Sequence, residues 1–128
     1  MNGWLVSAAV LCALISLAHS IIGEWRIFRH LRQAGCIVPT EGSNVLREFQ
    51  VRIIWGTWHG LSVVGLGLSG VLMWLAQPGA QAASGGQLEW CVAITTAATG
   101  MLVLVSNRAR HPAWVALLLV AGLVLMSL

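Results

Sequence analysis

Long apolar stretches separated by short polar segments dominate this chain. Four of them contain no Arg, Asp or Glu, and they run over residues 3–22, 53–76, 90–106 and 113–128. A helix needs about 20 residues to cross about 30 Å of hydrocarbon, and about 17 is near the lower limit. The first two stretches are long enough, whereas the third and fourth need flanking residues or a locally thinner bilayer. The pattern predicts an all-α membrane protein, a single domain built as a bundle of four transmembrane helices.

The placement of the arginines tests this number of spans. Five lie between the first two stretches and two between the last two, namely Arg26, Arg29, Arg32, Arg47, Arg52, Arg108 and Arg110. The N-terminal tip, residues 77–89 and the C-terminal end contain no basic residue. Four crossings therefore place all seven arginines on one side, which the positive-inside rule assigns to the cytoplasm. We expect both termini outside, in a multi-pass protein of the bacterial cytoplasmic (inner) membrane.

The composition narrows the possible partners. Hydrophobic residues make up 58% of the chain and charged residues 9%, whereas soluble domains are about one quarter charged. The lipid bilayer is therefore the expected environment. The net charge of +3 comes from arginines beside apolar stretches, so we expect no nucleic-acid partner. Lysine is absent, which excludes a Schiff base and a P-loop.

The tryptophans and the first loop refine this topology. Six tryptophans lie near the ends of the apolar stretches, as is usual at membrane interfaces, and Trp58 is the exception because it lies deeper. Arginines alternate with apolar residues after Glu24, which predicts that helix one continues as a cytoplasmic amphipathic arm over about 24–34. Ser43 or Asn44 is the expected N-cap of helix two. Residues 77–86 are rich in Gly, Ala and Ser, and they are expected to form a flexible connector.

Two histidines lie inside the apolar stretches, where ionisable residues are candidates for function. His19 and His59 fall on adjacent antiparallel helices at similar depth in the cytoplasmic half. Imidazoles from two helices are typical ligands of a b-type haem, and Arg26 and Arg52 are placed for its propionates.

The same histidines fit two other interpretations. With Glu24, His111 or Cys36 completing the set, they would bind a transition metal. Without any cofactor, they would hydrogen-bond each other, a serine or a carbonyl and fix the helix pair. Handling of protons at the pair is also open.

Small residues and carboxylates complete the candidate positions. Helix two contains a GxxxG pair, Gly56 and Gly60, and a second small pair, Gly65 and Ser69, which would allow close helix packing within the bundle or between subunits. Glu24 and Glu48 are expected to pair with arginines, since Arg52 is four residues beyond Glu48. Glu89 lies in a first helical turn, where a carboxylate suits the helix dipole.

Two segments in the first half of the chain carry a family resemblance. His19 to Glu24 reads H-S-x-x-G-E, and Arg52 to His59 reads R-x-x-W-x-x-W-H. These patterns resemble a family of small, uncharacterised bacterial inner-membrane proteins with four helices. The resemblance implies the fold and draws attention to His19, Glu24, Arg52 and His59, but it implies no activity.

Two hypotheses for the function follow. The first is an accessory or structural subunit of a membrane complex or homo-oligomer, with other membrane subunits or further copies of the chain as partners. The alternative is a redox membrane protein that binds b-type haem or a metal through His19 and His59. The sequence contains no recognisable nucleophile or pair of catalytic carboxylates, which does not favour an enzyme.

Overall fold

The computed structural model describes residues 1–33, 35–42, 45–106, 109 and 112–128, and these form helices and no strand. The elements in chain order are α1 (Gly3–Arg26), a 3-10 turn (Phe28–Leu31), α2 (Glu48–Leu75), α3 (Ala80–Ser84), α4 (Gln87–Ser106) and α5 (Ala113–Leu125). The all-α prediction is therefore confirmed. The expected N-cap residues of α2, Ser43 and Asn44, lie outside the described residues.

Within the described residues, three helices are long and apolar enough to cross a membrane. They are α1, α2 and the part of α4 from Gln87 to Leu104, with mean hydropathies of 2.3, 1.4 and 1.3. The helix α5 is apolar but has 13 residues, which span only about 20 Å. The fourth crossing and the location of the termini therefore stay predictions.

The chain divides into two compact units, and both α1 and α2 contribute residues to each of them. Unit one comprises Met1–Ile15 and Gly65–Leu128, and unit two comprises Ser16–Val64. The core of unit one is apolar and includes many small side chains: Leu5, Ala8, Ala9, Cys12, Leu72, Leu75, Ala76, Val92, Ala93, Val120 and Val124. Small side chains at a helix interface allow the backbones to approach closely.

The second small pair of α2 lies at such an interface in unit one. Ser69 Oγ donates a hydrogen bond of 2.8 Å to the carbonyl oxygen of Ala9, and Cys12 Sγ lies 3.4 Å from the carbonyl oxygen of Gly65. Gly65 and Ser69 therefore pack α2 against α1.

The segment expected to be a flexible connector contains a short helix, α3, instead. Gly79 and Gly85 flank α3 with positive φ angles of 82° and 61°, which glycine adopts without a steric penalty. Gln81 of this helix accepts a hydrogen bond of 2.9 Å from Asn2 Nδ2 and donates one of 3.0 Å to the carbonyl oxygen of Ser127. Side-chain hydrogen bonds therefore hold this segment to both ends of the chain.

The carboxylate of Glu89 is completely buried in unit one. Ser84 Oγ lies 2.9 Å from Glu89 Oε2 and equally close to the carbonyl oxygen of Gln81, while Glu89 Oε1 has no hydrogen-bond partner among the described residues. Because a hydroxyl has one hydrogen, it cannot donate to both acceptors at once. The helix dipole explains why a carboxylate suits this first turn of α4, but it does not explain the burial.

Unit two contains a break in the predicted amphipathic arm. We expected helix one to continue over residues 24–34, but α1 ends at Arg26 and the chain turns back through the 3-10 turn. The turn buries Phe28, which is 1% exposed, and the carbonyl oxygen of Leu31 then accepts hydrogen bonds from the backbone N–H groups of Thr40 and Glu41. Burial of one aromatic ring favours this reversal over a straight helix in water.

We expect Ser84→Ala to lower the free energy of unfolding by about 1–3 kcal/mol, because it removes the donor beside a buried carboxylate. The double variant Ser84→Ala/Glu89→Leu should recover much of that loss, since it replaces both polar groups with apolar ones. Thermal unfolding in detergent measures both effects.

The matched control for this pair is Ser7→Ala, since the Ser7 hydroxyl only donates to the carbonyl oxygen of Gly3 on an exposed helix surface. Its unfolding temperature should stay at the wild-type value. A double variant less stable than Ser84→Ala alone would contradict the account of Glu89.

Candidate functional site

The centre of unit two is the carboxylate of Glu24, near the C-terminal end of α1. Its Oε1 atom lies 2.6 Å from Arg32 Nη1, and both side chains are largely buried, at 30% and 23% exposure. Its Oε2 atom accepts a hydrogen bond of 3.3 Å from Trp55 Nε1. Glu24 therefore connects α1, the segment after the 3-10 turn and α2.

The imidazole of His59 lies between a hydroxyl and this carboxylate. Ser20 Oγ and His59 Nδ1 share a hydrogen bond of 2.7 Å, and His59 Nε2 lies 3.5 Å from Glu24 Oε2. Ser20 and Glu24 are four residues apart on α1, so they lie on one face of that helix. Ser20 therefore holds one ring nitrogen of His59 by a hydrogen bond, while the other faces Glu24 and makes no hydrogen bond to a described residue.

The other histidine, His19, is fixed by Trp58. The two rings stack with their centroids 4.2 Å apart and an angle of 8° between their planes. The indole Nε1 of Trp58 also donates a hydrogen bond of 2.9 Å to the carbonyl oxygen of His19. Gly23 makes this approach possible, because a Cβ atom at that position would overlap the indole of Trp58.

Aromatic rings pack beside the polar groups. Phe28 meets Trp58 edge-to-face with centroids 5.8 Å apart, and it lies at the same distance from the ring of His59. Trp55 meets His59 edge-to-face at 4.9 Å. The rings cover only part of the polar groups, since the side chains of Glu24 and His59 are still 30% and 24% exposed.

The order of hydroxyl, imidazole and carboxylate is also the order found in acid–base sites. However, Ser20 lies in the interior of α1, where the backbone N–H groups are occupied by helical hydrogen bonds. The helix around Ser20 therefore offers no backbone donors for an oxyanion, which usually contribute a large part of catalysis by such a site. The contacts of Ser20, His59 and Glu24 fit a structural connection better than a catalytic one.

The predicted site residues fall into two groups. Glu24 and His59 come together, and the expectation that Glu24 pairs with an arginine is confirmed by Arg32. Arg52 lies 3.2 Å from Glu48 in an exposed i,i+4 ion pair, as expected, and Arg26 is exposed at the end of α1.

The remaining metal candidates do not extend this cluster. Cys36 is an exposed free thiol, and His111 lies outside the described residues. In the part of the chain that the structure describes, no group of three or more His, Cys, Asp or Glu side chains is placed to hold a metal ion.

Sequence reasoning missed two members of the cluster, Arg32 and Phe28. It had offered a serine as a hydrogen-bond partner of the histidines, and Ser20 takes that place beside His59. Arg32 reaches Glu24 only because the chain reverses after α1, and no residue pattern indicated that reversal. The sequence did indicate that Trp58 was unusual, because it is the one tryptophan that lies too deep in an apolar stretch for the membrane interface.

Comparisons of the chain with protein-family models, with curated proteins and with solved structures give no match.

We expect Glu24→Gln to lower the free energy of unfolding by about 1–3 kcal/mol, because it removes the charge that holds the half-buried Arg32. Glu48→Gln is the matched control, since it makes the same chemical change in an exposed ion pair, and it should cost about 0.5 kcal/mol or less. Thermal unfolding of both variants in one detergent compares them directly. Equal losses in the two variants would contradict a central role for Glu24.

We expect Gly23→Ala to destabilise the protein by about 1–3 kcal/mol, because the added methyl group displaces the indole of Trp58. Gly122→Ala in α5 is the control, since a Cβ atom there meets nothing within 4 Å and alanine favours a helix. Intrinsic fluorescence during unfolding reports the tryptophan environment. A Gly23→Ala protein with wild-type stability and emission would refute the close packing of Trp58 on α1.

Proposed function

We propose that this protein is a structural subunit of a membrane assembly, which joins other transmembrane helices through one exposed face of α2. The observation that carries the proposal is a glycine-rich surface within unit two that no part of the described chain covers. We call it the α2 glycine face, and it consists of Phe49, Ile53, Gly56, Gly60 and Val63.

These five residues lie on one side of the helix, within a sector of about 80° at 100° per residue. Phe49, Ile53 and Val63 are 56%, 57% and 67% exposed. A Cβ atom added at Gly56 or Gly60 would meet nothing within 4 Å. The face is thus a shallow apolar depression at the two glycines, bordered by larger side chains.

Such a surface favours a helix as its occupant. Apolar burial gives little driving force between helices in lipid, so association depends on close van der Waals packing, which glycine pairs allow. A second copy of the chain is the simplest partner, because two-fold symmetry places the same depression against itself. The GxxxG pair Gly56 and Gly60 would then lie at the crossing point.

The Glu24 cluster supports a structural role. It comprises the side chains that contact Glu24 and the rings packed beside them, namely Glu24, Arg32, Trp55, His59, Ser20, Phe28, Trp58 and His19. Its contacts hold α1 and α2 together in unit two through an ion pair, hydrogen bonds and stacked rings, while the α2 glycine face stays exposed. A rigid helix pair that presents an uncovered face is suited to assembly, because little side-chain freedom is lost on association.

The haem or metal hypothesis is less well supported by these contacts. Ligation by His59 would need a ring nitrogen that now faces Ser20 or Glu24. His19 would have to bind an iron while its ring stacks on Trp58. No observation favours this alternative over the structural role.

We further propose four membrane crossings with the arginine-bearing segments on the cytoplasmic side of a bacterial inner membrane. The support is the distribution of all seven arginines, together with the three long apolar helices. In this topology α5 crosses with the help of its flanking residues or a thinner bilayer.

Gly60→Leu should abolish self-association, because its side chain fills the depression at the crossing point. The measurement is energy transfer between donor- and acceptor-labelled protein in liposomes over a range of protein-to-lipid ratios. The wild type should show transfer that persists on dilution with lipid, and the variant should show only the signal of random proximity.

Gly122→Leu is the control, since it adds the same side chain at a glycine of α5 with open space around it, and it should behave as the wild type. Association that survives in Gly60→Leu would show that the α2 glycine face is not the interface. A monomeric wild type without stoichiometric membrane partners, or a Soret band lost in both His19→Ala and His59→Ala, would overturn the structural role.

A further inference from the structure

A groove on the surface of unit two lies beside the Glu24 cluster. It is shallow and broadly open, has a volume of about 530 Å³, and is lined by Ser20, Ile21, Glu24, Trp25, Arg29 and His59. Its position at the end of the first apolar stretch, where arginines begin, is the position expected for a lipid headgroup.

One wall of the groove is apolar and points away from the protein. Ile21 and Trp25 are 65% and 58% exposed, and their four-residue spacing places them one above the other on α1. Two large apolar side chains in this arrangement form a continuous strip along the helix. This strip fits a hydrocarbon chain that runs parallel to α1.

The accessible surface of the groove is apolar, and the cation Arg29 lies beside it. The guanidinium group of Arg29 lies 5.4 Å from the ring centre of Trp25, a distance typical of a cation–π contact. Its Nε atom donates a hydrogen bond of 3.2 Å to His30 Nε2. These contacts orient the guanidinium without neutralising its charge, so it can still bind an anion.

The carboxylate of Glu24 also lines the groove and would repel an anion. Arg32 lies 2.6 Å from that carboxylate and balances its charge. Arg29 therefore leaves a net positive charge at the edge of the groove. The charge of the groove complements an anionic headgroup.

We propose that this groove binds one anionic phospholipid. Its phosphate contacts Arg29, and one acyl chain lies along Ile21 and Trp25. A free phosphate ion would use the arginine alone and leave the apolar strip uncovered, so the phospholipid fits both parts of the groove. This inference does not depend on the α2 glycine face, none of whose residues line the groove.

The test is native mass spectrometry of the full chain with dioleoyl phosphatidylglycerol or dioleoyl phosphatidylcholine. The wild type should retain one phosphatidylglycerol in preference to phosphatidylcholine. Arg29→Gln should lower the affinity for phosphatidylglycerol about fivefold, as expected for one arginine at a membrane surface. Ile21→Ser should weaken both lipids by a similar factor, because the apolar strip contacts the chain rather than the headgroup.

Arg47→Gln is the matched control, since it removes the same charge from another exposed arginine of unit two, and it should leave binding unchanged. Equal losses of affinity for phosphatidylglycerol in Arg29→Gln and Arg47→Gln would show that the lipid is attracted by the overall charge of the surface. That result would overturn the proposal of a binding groove. Inorganic phosphate that displaces the lipid at similar concentration would show a simple anion site instead. The preference for phosphatidylglycerol over phosphatidylcholine should persist in Gly60→Leu, the variant designed to abolish self-association. A failure of the lipid proposal can therefore be distinguished from a failure of the assembly proposal.

Discussion

The ion pair between Glu24 and Arg32 is the constraint on which the rest of unit two depends. It joins the last turns of α1 to a segment that would otherwise leave the helix. With the carboxylate fixed, its second oxygen orients Trp55 and faces His59. A charge that is only partly exposed would be costly without such a partner. The reversal after Arg26 therefore has an electrostatic reason as well as an apolar one.

Different interactions stabilise the interior of each unit. Unit one uses small apolar side chains and a few hydrogen bonds to carbonyl oxygens, such as that of Ser69 to Ala9. Unit two uses stacked rings, an ion pair and a histidine that faces two polar groups. Van der Waals packing is insensitive to ionic conditions, whereas ion pairs depend on their surroundings. Among the described residues, the two ion pairs between Arg and Glu that could respond to such conditions, Glu24–Arg32 and Glu48–Arg52, both lie in unit two.

Much of the fold could be predicted because the bilayer imposes a simple requirement on helix length and hydropathy. The starts of α1 and α5 fall where the apolar stretches begin, and the pairing of Glu48 with Arg52 follows from helical spacing. The partners of Glu24 and His59 were harder to predict from the sequence, because these contacts depend on a chain reversal that buries Phe28. Hydrophobic periodicity records which face of a helix is apolar, but it does not record where a chain folds back on itself. The α3 helix was missed for a related reason, since its stability comes from Asn2 and Ser127, which are distant in sequence.

The contact between Gly23 and Trp58 has a consequence for how this sequence can diverge. The indole of Trp58 occupies the space beside Gly23, so the sizes of the side chains at these two positions cannot vary independently. A related protein with alanine or serine at the position of Gly23 should carry a smaller ring, or none, at the position of Trp58. The stacking partner of His19 would then be lost as well. Covariation at these three positions, rather than the identity of either histidine alone, would therefore mark the proteins that share this arrangement.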